Sequence, residues 1–126
     1  MLLATGQYGE ALTAFQHATS IGRRLGDRGT EAIALDETGR AYREMGRLVE
    51  AADFHRLAAS THGDLGDLWR RANALDNLAY ALDQLGDRAG ALVNWREAES
   101  CLTEFSDRRA TALRSSISAN LRRDDG

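Results

Sequence analysis

Apolar side chains recur along this chain at intervals of three and four residues, which is the spacing of one face of an α-helix. One series consists of Leu12, Phe15, Ala18, Ile21 and Leu25, and another of Leu75, Leu78, Ala79 and Leu82. Proline, which would interrupt helical hydrogen bonds, is absent. The pattern predicts six helices separated by tight turns, at about residues 7–25, 28–45, 48–65, 68–85, 88–105 and 108–122.

A two-residue signal ends these helices every 20 residues. It occurs as Leu25-Gly26, Met45-Gly46, Leu65-Gly66 and Leu85-Gly86. Glycine can end a helix without steric cost because it adopts the left-handed conformation easily. In three of the four cases an aspartate follows, and its side chain can cap the next helix by accepting a hydrogen bond from a backbone N–H. Each Leu-Gly-Asp is therefore predicted to stop one helix and to start the next.

A shift of 40 residues brings many more positions into register, so the repeating unit is a pair of helices. The matching sets include Ala11, Ala51 and Ala91; Phe15, His55 and Trp95; Ala18, Ala58 and Ala98; Leu35 and Leu75; and Asp36 and Asp76. Small residues at aligned positions (Gly39, Ala51, Ala79 and Ala91) would let neighbouring helices pack closely. Consecutive antiparallel helices joined by short turns stack into a solenoid, so we expect an all-α fold.

Over essentially its whole length the chain resembles the tetratricopeptide repeat family. In that motif helix A carries Leu, Gly or Ala, and Tyr, a glycine forms the turn, and helix B carries Ala, an aromatic residue and Ala. One copy here consists of Leu35, Thr38, Gly39, Tyr42, Gly46, Ala51, His55 and Ala58, and the next of Leu75, Leu78, Ala79, Leu82, Gly86, Ala91, Trp95 and Ala98. The resemblance implies a right-handed α-solenoid of antiparallel helix pairs that binds proteins or peptides.

The repeat also departs from the family pattern. Its unit is 40 residues long instead of about 34, the helix-B proline is missing, and Thr38 and His55 replace large apolar residues. The longer unit resembles repeats in the C-terminal regions of large bacterial regulators, including signal-transduction ATPases and antibiotic-pathway activators of actinobacteria. This second resemblance implies that the chain is the C-terminal part of a larger regulatory protein.

The two ends of the repeat series differ. We expect a single domain, residues 1–126, that consists of a half repeat (1–27), two repeats (28–67 and 68–107) and a capping helix (108–122). The chain opens in the middle of a repeat, with Leu2 and Leu3 at an apolar edge. Either the chain is a piece of a longer protein, or another surface, such as a second copy in a homodimer, covers this edge. In the last helix Ser115, Ser118 and Arg122 replace apolar positions, so we expect the array to end there.

Composition narrows the possible functions. The formal net charge is −3, which argues against non-specific electrostatic binding to nucleic acid. The single cysteine excludes an internal disulfide. No apolar run approaches the roughly 20 residues that a membrane span needs. The first residues lack the charged start and the long apolar stretch of a signal peptide, so we expect a cytoplasmic location.

No group of residues in the sequence points to catalysis, a cofactor or a metal. His55 and His62 are separated by two helical turns, roughly 10 Å, which is too far for one zinc ion without further ligands. His55 also occupies the packing position of Phe15 and Trp95, and Cys101 aligns with small core positions. The helix start in "GDRGTEA" lacks the lysine and the spacing of a phosphate-binding loop. We therefore expect packing roles for these residues and no enzymatic activity.

The resemblance places a partner in the concave groove that the A helices line. Carried over position by position, the groove residues are Ile33, Asp36, Arg40, Arg43, Asn73, Asp76, Tyr80, Asp83, Leu113, Ser116 and Asn120, with Glu37 and Asn77 beside them. Arg40 and Arg43 can hold a carboxylate. The best-known members of the family clamp the acidic tails of chaperones with lysines, arginine and asparagines. Aspartates at 36 and 76 and the absence of lysine predict that such tails do not bind here.

Trp69 stands where the aligned copies have Gly29 and Arg109. It either packs over the adjacent turn or forms an aromatic anchor at an interface.

Together the repeats, the groove and the absence of catalytic motifs predict a protein- or peptide-interaction module. Two other functions stay open: the sensing of a peptide or small ligand that switches an attached ATPase or DNA-binding domain, and homo-oligomerisation through the apolar edge.

Overall fold

Six α-helices follow one another in the computed structural model, which describes residues 4–123 and the side chains of residues 7–123. They are α1 (Ala4–Leu25), α2 (Arg28–Glu44), α3 (Leu48–Asp64), α4 (Leu68–Gln84), α5 (Arg88–Cys101) and α6 (Arg108–Arg122). Residues 4–123 contain no strand, and none of their helices is long and apolar enough to cross a membrane. The predicted all-α fold is confirmed, and the predicted bounds of α2, α3, α4 and α6 agree with the structure to within one residue.

The turns between the helices have the geometry that the sequence predicts. Gly26, Gly46, Gly66 and Gly86 have φ angles of 71°, 80°, 72° and 90°, so each adopts the left-handed conformation directly after a helix. The aspartates that follow three of these glycines cap the next helix. Asp27, Asp67 and Asp87 accept hydrogen bonds from the backbone N–H groups of Thr30, Arg70 and Gly90. The two predicted functions of Leu-Gly-Asp, to stop one helix and to start the next, are confirmed.

The predicted end of α5 at residue 105 is wrong, because the helix ends at Cys101. Ser106 stands where the other helices have their turn glycine, so no residue there adopts the left-handed conformation at low cost. The chain leaves the helix earlier instead. The guanidinium of Arg114 on α6 donates to the backbone oxygens of Leu102 and Phe105, at 3.0 Å and 2.8 Å, and thereby satisfies carbonyls that the helix no longer pairs.

Each helix packs against the next one along the chain, and α2 also contacts α4, so the odd and even helices form two layers. Alanines at the contact surfaces are fully buried and allow a close approach of the helices: Ala32, Ala51, Ala58, Ala72, Ala79, Ala91 and Ala98. The largest fully buried side chains are Trp95, Leu102, Ile117 and His55. On α6 Ile117 is buried, and Leu113 and Leu121 pack against the core. α2, α4 and α6 correspond to the predicted A helices.

Candidate functional site

Two aspartates predicted to line the groove are hydrogen-bonded to side chains of the following helix. Oδ1 of Asp36 lies 2.6 Å from Nδ1 of His55, and Oδ1 of Asp76 accepts a hydrogen bond of 2.8 Å from Nε1 of Trp95. The two pairs are equivalent under the 40-residue repeat. Since a carboxylate only accepts, Nδ1 is the ring nitrogen of His55 that carries the donated proton. Burial raises the pKa of Asp76, and the hydrogen bond from Trp95 opposes this rise.

A cavity of about 210 Å³ lies in the groove between α2 and α4. It is lined by Ile33, Asp36, Glu37, His62, Trp69, Arg70 and Asn73. The sequence prediction placed three of these residues, Ile33, Asp36 and Asn73, in the groove, with Glu37 beside them. It did not place His62, Trp69 or Arg70 there. His62 comes from the end of α3, and no local signal in the sequence shows that a helix-B residue reaches under the groove.

The imidazole of His62 is the most deeply buried polar group of the cavity lining. The residue is 2% exposed, and its Nδ1 is buried without a hydrogen-bond partner. Burial lowers the pKa of His62, and Asp67 and Asp36 partly oppose this shift. A lowered pKa keeps the ring neutral near pH 7, and a neutral imidazole has one nitrogen that accepts a hydrogen bond.

The other polar groups of the cavity are partly engaged with each other and with their own helices. Nδ2 of Asn73 donates to the backbone oxygen of Trp69 at 2.9 Å, which leaves the amide oxygen of Asn73 as an acceptor. Oδ2 of Asp36 receives a hydrogen bond of 3.3 Å from Nδ2 of Asn77. Nε of Arg70 lies 3.4 Å from Oδ2 of Asp67, the residue that caps α4.

A second cavity, of about 340 Å³, is lined by Arg43, Glu44, Tyr80 and Gln84, near the C-terminal ends of α2 and α4. The guanidinium carbon of Arg43 lies 5.5 Å from the centre of the Tyr80 ring, a cation–π geometry. Tyr80 is 46% exposed. The side chain of Arg40, one turn before Arg43, is 54% exposed and pairs with Glu37 at 3.6 Å. The structure thus brings Arg40, Arg43 and Tyr80 to the surface, where a partner can reach them.

Asp83 and Asn120, also predicted groove residues, take part in a network that attaches α6 to the turn between α4 and α5. Nη1 of Arg88 lies 3.5 Å from Oδ1 of Asp83, and Nη2 of Arg88 donates to the backbone oxygens of Asn120 and Arg123. The guanidinium of Arg123 pairs with Asp83. The contacts of these two residues are therefore within the chain, and their role in binding stays a prediction.

Trp69 packs against the turn between α5 and α6 and the start of α6, and its role as an anchor at an interface stays a prediction. Its ring lies 6.2 Å from the ring of Phe105 and 4.6 Å from the guanidinium carbon of Arg109. It also lines the cavity between α2 and α4. Leu2 and Leu3, the other possible interface residues, lie outside the described residues, so their predicted role at an apolar edge stays a prediction.

The remaining candidates for chemistry lie in the interior. His55 is fully buried, and Cys101 is a buried free thiol, so both occupy packing positions, as the sequence predicts. Among residues 4–123 no group of three histidines, cysteines, aspartates or glutamates could hold a metal ion. Polar side chains line the two cavities between α2 and α4, and this lining suits recognition of a polar ligand.

Residues 1–61 match the family model for the tetratricopeptide repeat. The matched segment contains α1, α2 and most of α3. The 40-residue register carries the same pattern of residues from α2 and α3 onto α4 and α5, which have the same turns and equivalent interhelical hydrogen bonds.

Proposed function

Because the chain belongs to the tetratricopeptide repeat family, whose repeats are generally protein–protein interaction modules, we propose that it binds a segment of a partner protein in the groove between α2 and α4. Folds of this kind are typically scaffolds without enzymatic activity. The partner segment would lie along both A helices. It would contact Asp36, Arg40 and Arg43 on α2 and Asn73 and Tyr80 on α4.

The observation that carries this proposal is that two cavities follow each other along the same pair of helices. Asp36 lines the first cavity and Arg43 the second. Seven residues of helix separate them, or roughly 10 Å along α2. An extended peptide rises about 3.3 Å per residue and its side chains alternate between two faces, so side chains about two or four residues apart, on one face, could occupy the two cavities together. At the second cavity the guanidinium of Arg43 supports binding of a carboxylate.

The biological setting that we propose rests on the sequence. The repeat unit of 40 residues resembles that of large bacterial regulators, so we propose that the module is part of a cytoplasmic regulatory protein and that partner binding controls an attached activity. Self-association through Leu2 and Leu3 is the alternative mode of assembly. Light scattering at several protein concentrations separates the two modes, because a homodimer changes mass with concentration and a monomeric peptide binder does not.

Selection from a phage-displayed library of short random peptides tests groove binding. We expect the wild-type chain to enrich a family of related peptides, and we expect the double variant Arg43→Ala/Tyr80→Ala to lose at least about tenfold in affinity for them, since arginine and tyrosine side chains often dominate binding energy. Arg96→Ala is the matched control, because Arg96 is exposed on α5 and lines neither cavity. Selected peptides that bind the double variant and the Arg96→Ala control with equal affinity would show that the binding surface lies elsewhere.

A further inference from the structure

The lining of the cavity between α2 and α4 presents several hydrogen-bond acceptors. Asp36 and Glu37 contribute carboxylates, and Asn73 contributes its amide oxygen, because its amide nitrogen already donates to the backbone oxygen of Trp69. Asp36 receives one hydrogen bond at each oxygen, from His55 and from Asn77. A carboxylate offers about four lone-pair sites, so Asp36 retains acceptor capacity toward the cavity.

The positive charge near the cavity does not balance these carboxylates. Arg70 is the one arginine in the lining, and it pairs with Asp67 at 3.4 Å. Glu37 pairs with Arg40 at 3.6 Å, but both side chains of this pair are more than 40% exposed, and exposed ion pairs contribute little. Two carboxylates and one arginine leave the described lining with an excess of one negative charge.

His62 places an unsatisfied polar group beside the carboxylates of the cavity. Its side chain lines the cavity, and its Nδ1 is buried without a hydrogen-bond partner among the described residues. Buried polar groups without partners are uncommon in folded proteins, because each one costs desolvation energy that no hydrogen bond offsets. In the tautomer whose proton is on Nε2, Nδ1 is an acceptor and adds to the acceptors of the lining.

The size of the cavity limits the ligand to about one side chain. Pockets for drug-sized ligands are roughly 300–1,000 Å³, whereas this cavity is about 210 Å³. Ile33 and Trp69 provide apolar walls beside the polar groups. A long side chain with an aliphatic stem and a cationic head matches this combination, because the stem packs on apolar surface while the head reaches acceptors.

We propose that this cavity receives one basic side chain, arginine or lysine, of the partner segment. The inference rests on the groove binding proposed above and names the chemistry of one anchor. The cationic head donates to the carboxylates of Asp36 and Glu37 and to the amide oxygen of Asn73. The stem lies against Trp69.

A small probe tests the cavity without any partner peptide. Nα-acetyl-arginine amide is titrated into the full chain while the NMR signals of the His62 ring, the Trp69 indole and the Asn73 side-chain amide are followed. We expect saturable shifts of these signals with the arginine probe, and none with Nα-acetyl-citrulline amide, which has nearly the same shape but no charge. Equal shifts with both probes, or none with the arginine probe up to high millimolar concentration, would overturn the inference.

Peptides from the selection described above test the same anchor at higher affinity. We expect one position of the enriched peptides to be arginine or lysine, and its replacement by citrulline or norleucine to weaken binding at least about tenfold, as expected for the loss of a charged hydrogen bond. Exchange of arginine for lysine shows which cationic head is preferred. Enriched peptides without an arginine or lysine position would contradict the proposed basic anchor but would still support groove binding. The absence of any enriched peptide would count against groove binding itself.

Glu37→Gln is the matching change in the protein, since it removes one carboxylate and keeps the size of the side chain. We expect it to weaken binding of the arginine probe and of basic peptides, and to leave citrulline peptides unaffected. Glu104→Gln is the control, because Glu104 is exposed and lines neither cavity. Unchanged affinity of Glu37→Gln for basic peptides would remove Glu37 from the anchor site and overturn the proposed charge recognition.

Discussion

The indole Nε1–H of Trp95 donates a hydrogen bond of 2.8 Å to Oδ1 of Asp76, and the equivalent contact one repeat earlier joins Nδ1 of His55 to Oδ1 of Asp36 at 2.6 Å. In both repeats an aspartate on helix A is thus hydrogen-bonded to the aromatic position of the following helix B. Trp95 and His55 are fully buried, so the Nε1–H of the indole and the Nδ1–H of the imidazole each need an acceptor inside the protein. The aspartate supplies that acceptor.

Asp76→Ala is expected to lower the free energy of unfolding by about 1–3 kcal/mol, because the buried indole N–H of Trp95 then has no acceptor. Asp76→Asn keeps an acceptor oxygen at the same place, so we expect a clearly smaller loss. Urea unfolding followed by the circular dichroism of the helices measures both. Equal losses for the two variants would show that the hydrogen bond to Trp95 does not account for the effect.

Stability is expected to fall between about pH 7 and pH 5 through His62, whose pKa burial lowers below its usual 6.5. Below pH 6.5 the unfolded chain binds a proton at this residue that the folded chain excludes until its own lower pKa is reached, so stability falls as the pH falls through this window. One such group contributes at most about 1.4 kcal/mol per pH unit.

The measurement for His62 is the difference in unfolding free energy between about pH 7.5 and about pH 5, compared among variants. We expect His62→Gln to reduce this difference, whatever its effect on absolute stability, because glutamine does not titrate. His17→Gln is the control, since His17 is exposed on α1. A pH dependence of His62→Gln identical to that of the wild type would contradict the assignment.

Gly39→Ala is expected to destabilise the protein, although alanine is normally the better helix residue. A Cβ atom at this position would lie 2.7–2.9 Å from three atoms of the His55 ring, which is fully buried and cannot move away easily. Overpacking of this kind typically costs about 1–3 kcal/mol. Gly9→Ala is the matched control and should stabilise α1 by about 0.5–1 kcal/mol, because nothing lies within 4 Å of its Cβ position. Thermal unfolding of both variants decides; a rise in stability for both would contradict the predicted clash.

Arg88→Ala is expected to loosen α6 more than the rest of the chain. Nη2 of Arg88 donates to the backbone oxygens of Asn120 and Arg123 at the end of α6, at 2.8 Å and 2.9 Å, and its Nη1 lies near Asp83. Hydrogen exchange should therefore become faster in α6, with a smaller change in α3 and α4. Arg96→Ala, an exposed arginine on the same helix as Arg88, should leave the exchange pattern unchanged. Uniformly faster exchange in all helices for Arg88→Ala would show that the network does not act on α6 alone.

Local signals in the sequence specify where the helices lie and how they repeat. The signals are local: apolar spacing of three and four, glycines that adopt positive φ, and aspartates that cap the helix beginning after them. The beginning of α1 lies three residues before the predicted one, and the largest error, the end of α5, occurs where Ser106 replaces the glycine. There a tertiary contact, from Arg114 to the carbonyls after α5, decided where the helix ends.

The contacts of the polar side chains of the A helices depend on how the helices pack together. In the sequence Asp36 and Asp76 occupy positions typical of exposed groove residues. In the structure each is hydrogen-bonded to the aromatic ring of a residue 19 positions later in the chain, and only helix packing brings the two side chains together. The cavity likewise combines Glu37 from α2, His62 from α3 and Trp69 from α4. Helix periodicity specifies which face of a helix a residue occupies. The burial of that residue, the charge balance around it and the hydrogen-bond partners of its polar atoms depend on which side chains of other helices lie next to it.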